Sequence, residues 1–413
     1  MGVEQIDCRN WDEEAYRDSI LQEREALSQT IFRTVFAPTR NPNPNSDIIV
    51  TSSSDGFVSS YSISSCLALG CGNVRGQNWL VAEPHCLIQG HNGPAYDVKF
   101  CGNDEDSLLL SCGDDGKIQG WKWKEILECE LPIQGVKLKP VLDLVNPQHK
   151  LVLKFETVAW LWKACTVFLH DLFMLGTLFL FPPIVLGPWG SLSPIPENNA
   201  IAVDSQGGSI YAAAGDSCAY CWDVETSQIK MVFEGHSNYL HCVVARNSCN
   251  QVHFSSFISV LLEDGTARIW DCRSGNCIQV IDPGKDKTSK ESVQCVSCIA
   301  LDSSESWLVC GKGPSLSLWN LPVNECISRI RTNSSIQDVV FDENEILAVG
   351  AAPLLTRFDM KGDIRSQINC APQSVFSVSL HPSGVTAVSG YGGLVDIISQ
   401  FGSHLCTFRG KSL

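Results

Sequence analysis

The chain has 413 residues, 44 % of them hydrophobic, which is enough to bury a large core or several smaller ones. Its formal charge is −15, from 30 basic and 45 acidic residues, and the densest basic stretch, KDKTSK from Lys285 to Lys290, is interrupted by Asp286. Such a surface repels phosphate, which excludes nucleic-acid binding through a broad basic patch. The 20 cysteines are scattered and the opening MGVEQIDCRN has no apolar leader, so a reducing compartment is expected.

From the N-terminus, the first predicted element is a helix. Asn10 can cap it with Glu13 three positions on, and Tyr16, Ile20 and Leu27 recur at helical spacing, with Trp11 and Ala15 widening the apolar face. It fits either a rim-packing role or a partner-docking role. Residues 1–29 form this N-terminal segment, and everything from 30 to 410 reads as strands and turns.

In that second part a pattern repeats. An aromatic residue stands six positions after a turn aspartate four times: Asp55 and Tyr61, Asp115 and Trp121, Asp216 and Trp222, Asp264 and Trp270. Weaker copies end at Trp319-Asn320, at Phe358-Asp359 and around Val395 to Ile398. From Trp222 onward the aromatics at 222, 270, 319 and 358 are 48, 49 and 39 residues apart, close to the ~40–45 residues of a four-stranded propeller blade. Gly90-His91 and Gly235-His236 precede the period-two strands AYDVKF and YLHCVVA, and SVQCVSCIAL, IQDVVFD and VFSVSLHPSG fill the same place later. The Gly-His and Trp-Asp pairs resemble the WD-repeat family. The resemblance implies an all-β, seven-bladed propeller, and seven units can be counted.

The same resemblance implies a hydrogen-bonded chain of histidine, strand hydroxyl, turn aspartate and indole within a blade. His91, Ser111, Asp115 and Trp121 match all four positions; His236, Asp216 and Trp222 are matching members elsewhere. These residues are expected to hold the blades rather than to catalyse. Tyr96 and Tyr239, just after the Gly-His pairs, fit either a partner surface or filling between blades.

The pattern is damaged twice. Trp121 and Trp222 are 101 residues apart, and between them lies the 36-residue apolar block 151–186, rich in aromatics and poor in turn residues. Three readings are open: a membrane helix over Ala164 to Phe181, a hydrophobic docking loop, or an insertion foreign to the fold. His170-Asp171 near its middle counts against a bilayer, and the foreign insertion is favoured. The second irregularity is Val260, ten residues before Trp270, where Ser111 stands in the intact unit.

Two Cys-x-x-Cys pairs, Cys218/Cys221 and Cys295/Cys298, are separated by 73 residues rather than the ~15–20 of a zinc site. On strands, an offset of three sends the side chains to opposite faces, so no metal is expected. With no HExxH, nucleophile elbow or phosphate loop, no cofactor and no catalysis are expected either. The alternative is a propeller enzyme or small-ligand sensor using the central channel.

Several longer stretches, NWDEEAYRDSILQERE, GPAYDVKF, LLLSCGDDGKIQGWKW, DSCAYCWDVE, EDGTARIWDC and SQFGSHLCTFR, resemble the plant form of the THO complex subunit 6 family. In that family NPQHK runs directly into GPWG, so Lys150 would join Gly187. The resemblance implies a nuclear scaffold among other THO complex subunits, in an assembly coupling transcription to packaging and export of messenger RNA. It also implies a box that binds the damaged-DNA-binding adaptor of cullin-4 ubiquitin ligases, with the chain as substrate receptor dampening abscisic acid responses. Ile258 to Arg273 resembles that box at Asp264, Trp270, Asp271 and Arg273, but carries Val260, Leu261 and Leu262 where small residues are expected. Arg273 is then either an adaptor contact or a solvated arginine after a strand. No direct nucleic acid and no membrane partner is expected.

Overall fold

Four-stranded antiparallel sheets recur along the chain: among its described residues the computed structural model has six of them and a seventh sheet of five strands. It describes residues 17, 28–38, 48–70, 80–104, 106–128, 138–148, 195–204, 208–246, 251–256, 265–283 and 296–410. The first blade comprises Ile31–Phe36, Ile48–Ser53, Phe57–Ser62 and Cys86–Gln89; the second, Ala95–Cys101, Leu108–Gly113, Lys117–Lys122 and Leu142–Val145. The third runs from Asn198 to Phe233, the fourth from Leu240 to Ile281, the fifth from Val296 to Arg331, the sixth from Ile336 to Asn369 and the seventh from Val375 to Gly410. The all-β propeller expected from the repeat is what the chain builds. Of the expected N-terminal segment 1–29 only Arg17, Ser28 and Gln29 are described, and the block 151–186 lies outside the described residues.

Burial changes from the inside of each blade to its rim, and the sequence follows. Second strands are covered on both faces, as in the wholly buried SIYAAA of Ser209–Ala214. Rim strands alternate, as in Glu325–Arg331 and, from Arg365 on, in Ile364–Asn369, where every second side chain is exposed. Cores form between neighbouring blades: Leu110, Ile118 and Leu144 of the second pack with Ile201, Ile210 and Trp222 of the third.

The innermost strands share an irregularity. Each skips one register position against its neighbour, between Ile31/Arg33, Ala95/Asp97, Asn198/Ala200, Leu240/Cys242, Val296/Cys298, Ile336/Asp338 and Val375/Ser377. A bulge leaves backbone amides unpaired and re-aims side chains. The bulged residues Phe32, Tyr96, Asn199, His241, Ser297, Gln337 and Phe376 form a half-buried ring at the channel mouth. The following position supplies caps to the next blade. Asp97 accepts from the amides of Val98 and Ile201, Asp338 from those of Val339 and Val378, and Ser377 Oγ from that of Thr34.

Ring closure uses a detour. After its third strand the first blade departs into the helix Ile63–Gly70 and the strand Leu80–Ala82, then returns for its rim strand. Leu80–Ala82 pairs in parallel with His404–Gly410, the rim strand of the last blade. Ile63, Cys66 and Ala82 pack against Val395, Cys406 and Phe408. The seventh sheet therefore has five strands, and its open edge is covered.

Candidate functional site

In the first three blades the turn between second and third strands has one chemistry. Asp55, Asp115 and Asp216 each turn a carboxylate oxygen back onto the amide two residues ahead, of Phe57, Lys117 and Cys218. This is an Asx turn. The residue after the aspartate adopts positive φ: Gly56 at 84°, Gly116 at 69°, and Ser217 at 64° where the third blade lacks glycine.

In the second blade His91 is buried, its Nδ1 2.9 Å from Asp115 Oδ1 and its Nε2 2.6 Å from Ser111 Oγ. Asp115 also accepts from the amide of Asn92. Burial alone would raise the Asp115 carboxyl, but the hydrogen bond and charge of His91, with the amides of Asn92 and Lys117, hold it below the usual carboxylate range. One expectation is corrected. The indole of Trp121 does not join this chain: Nε1 donates to the carbonyl of Leu138 at 3.2 Å. Trp121 pairs across the sheet with Leu109, two positions along the strand from Ser111, whose own partner is Gln119. Its six-membered ring instead covers Gly90, where an added Cβ would lie 3.0 Å from Cη2. Gly235 meets Trp270 in the same way, at 2.9 Å. The glycine of each Gly-His pair is thus required by an indole resting on the backbone.

His236 and Trp270 are buried, with ring centroids 6.5 Å apart, and Phe233 lies 5.8 Å from the indole. In the third blade, whose Trp222 is buried, the turn aspartate Asp216 accepts from the phenol of Tyr220, a residue the repeat pattern does not single out.

Trp270 and Asp271 end the third strand of the fourth blade. Asp271 accepts from the amide of Arg273 at 3.1 Å and from Ser274 Oγ at 2.9 Å, and these bonds lower its carboxyl. The Arg273 side chain is 76 % exposed, with Nε 3.5 Å from Asp271. Asp264, the fourth residue of the expected box, lies outside the described residues.

Tyr96 and Tyr239 stand on the opposite face, where the connections between blades and the aspartate turns gather. Neither is free-standing. Tyr96 donates to Asp114 at 3.1 Å and packs edge-on against Phe32, with centroids 5.4 Å apart. Tyr239 is half-buried, and burial together with Glu197 pushes its phenol up to about 12.

The channel holds a group that spacing does not reveal. Arg33 lies with Nε 3.1 Å from Asp97 and Nη1 2.6 Å from Asp338, joining the first blade to the second and sixth. Burial would lower the guanidinium, but Asp338 and Asp97 more than reverse this. The adjoining cavity, about 420 Å³, is otherwise lined mainly by Ala, Val, Ile and Cys. The one available signal was Asp97 and Asp338 at equivalent places in AYDVKF and IQDVVFD. Among the described residues no cluster of His, Cys, Asp and Glu is arranged to hold a metal, and no helix is long and apolar enough to cross a membrane.

A family model described as WD domain, G-beta repeat matches residues 83–122 and 227–271. The chain is 52 % identical over 412 residues to THO complex subunit 6 of Arabidopsis thaliana, covering 98 % of this chain and 99 % of the relative. It is 24 % identical to THO complex subunit 6 of Homo sapiens, covering 93 % of each chain. Against the Danio rerio homologue it is also 24 % identical, over 91 % of this chain and 96 % of the other.

Proposed function

Because the chain belongs to the THO complex subunit 6 family, we propose that it is a non-catalytic scaffold subunit of a THO assembly, acting in the nucleus in the packaging and export of messenger RNA. The observation that carries this reading is the match at 52 % identity along almost the whole of both chains. The test is affinity purification from nuclear extract. Co-recovery of other THO subunits is expected, and their absence rejects the assignment.

The second part of the proposal is that Trp270, Asp271 and Arg273, with Asp264, form a docking box for the damaged-DNA-binding adaptor of cullin-4 ligases, through which the chain serves as a substrate receptor and dampens abscisic acid responses. Support comes from an exposed guanidinium held beside a turn-capping carboxylate, since a planar fork of donors pairs well with a partner's carboxylate. An enzyme or sensor in the channel has less support, because Arg33, Asp97 and Asp338 satisfy one another. The block 151–186 is proposed to be foreign to the fold.

A further inference from the structure

The ring of bulged residues at the channel mouth is not uniform. Over three consecutive blades it carries Phe376, Phe32 and Tyr96, with Phe32 5.9 Å from Phe376 and 5.4 Å from Tyr96, both pairs edge-on. All three remain half-buried rather than covered. Around the rest of the ring the bulged positions are Asn199, His241, Ser297 and Gln337, so the mouth has one aromatic side and one polar side.

The aromatic side runs into carboxylates. Tyr96 donates to Asp114, and Glu197, just ahead of the first strand of the third blade, follows with Asp216 close by. Burial raises the Glu197 carboxyl, and Asp114 and Asp216 raise it further. Among the described residues no cation pairs with Asp114 or Glu197. Aromatic faces beside unneutralised carboxylates attract a planar cation, which stacks on the rings while donating to the acids. A phosphate backbone would be repelled here.

We infer that the arc Phe376, Phe32, Tyr96, Asp114 and Glu197 on the upper face docks an arginine-bearing segment of a partner protein. The arginine side chain lies over Phe32 and Tyr96, and its guanidinium reaches Asp114 and Glu197. Lysine satisfies the charge but loses the stacking and the forked geometry, so arginine is preferred. This surface lies opposite Arg273, so both faces can be occupied at once.

The test is fluorescence anisotropy of the full chain with a labelled peptide of repeated Arg-Gly-Gly, the same peptide with every Arg replaced by Lys, and a single-stranded oligouridine RNA. The arginine peptide is expected to bind, more tightly than the lysine peptide, and to weaken with added salt. Tyr96→Ala and Glu197→Gln should each weaken it at least about fivefold, whereas Glu225→Gln, an exposed acid on the lower face, should not. Glu197→Gln removes charge at nearly constant shape, so it stays informative if Tyr96→Ala melts early. No binding of the arginine peptide, binding unchanged in both variants of the arc, or tighter binding of the RNA would overturn the inference.

Discussion

Arg33 and Asp338, 305 residues apart in the chain, meet at 2.6 Å in the channel. Arg33 stands in the first blade to be made and Asp338 in the sixth, and the same guanidinium reaches Asp97 in the second. The pair therefore forms only when the ring closes. Arg33 is 20 % exposed and the two acids are 2 % and 8 % exposed, so removing the arginine strands two buried carboxylates. Arg33→Met should destabilise the fold by about 3 kcal/mol or more, since one-sided removal from a buried pair costs about 3–5 kcal/mol. Combining it with Asp97→Asn and Asp338→Asn should cost less than the sum of the separate changes. Denaturant midpoints decide the matter: a small loss for Arg33→Met, or strict additivity, contradicts this role.

Asp115 links the blade to pH. Its folded pKa is depressed, so the native state keeps this charge to lower pH than the unfolded chain does. Its contribution is complete above the ordinary carboxylate value of about 4 and disappears as pH falls through the lower, folded value. Asp115→Asn should cost about 1–3 kcal/mol near neutrality, because His91 and two amides lose a charged acceptor. In urea titrations the gap between wild type and variant should close in acid. A gap that stays constant into acid would place the coupling elsewhere.

Arg273 is expected to behave oppositely, with no structural debt. It is exposed, and among the described residues its one ion pair is with nearby Asp271 at 3.5 Å, an arrangement worth less than about 1 kcal/mol. Arg273→Ala should leave the melting temperature unchanged while lowering recovery of the cullin-4 adaptor in pull-downs. Full recovery with the alanine variant removes the ligase part of the proposal and leaves the THO part standing.

The propeller was legible because its signal is local and repeated. The Asp turn fixes its own backbone through an amide two residues on, and the Gly-His glycine is needed where an indole rests. What escaped notice depends on residues distant in sequence. Arg33 looks like any strand arginine until the ring brings Asp97 and Asp338 to it. Leu80–Ala82 pairs with a strand more than 300 residues later, and three residues in a parallel pair leave no periodic trace. The acceptor of Trp121 is not legible in the sequence, because its distance from Ser111 along the chain does not show that the cross-strand register sets it opposite Leu109.

The block 151–186 interrupts the repeat pattern of the sequence, and its removal makes a clean prediction. It falls between the rim strand Leu142–Val145 of the second blade and the innermost strand Asn198–Val203 of the third. Most other steps from rim to next channel strand are short, residues 332–335 and 370–374 being two of them, and residues 282–295 make the one longer step. With Lys150 joined to Gly187, residues 146–150 and 187–197 still span this step, more chain than most other steps use. Both ends are anchored independently of the block: the Asn146 amide and the Asn198 side chain each donate to the carbonyl of Gly116 at 2.8 Å. An apolar segment of this length, wherever exposed, promotes association. Deleting 151–186 should therefore raise the soluble, monomeric yield in size-exclusion chromatography and leave the melting temperature equal or higher. If the deleted chain instead unfolds or aggregates more, the block is an integral part of the third blade's attachment.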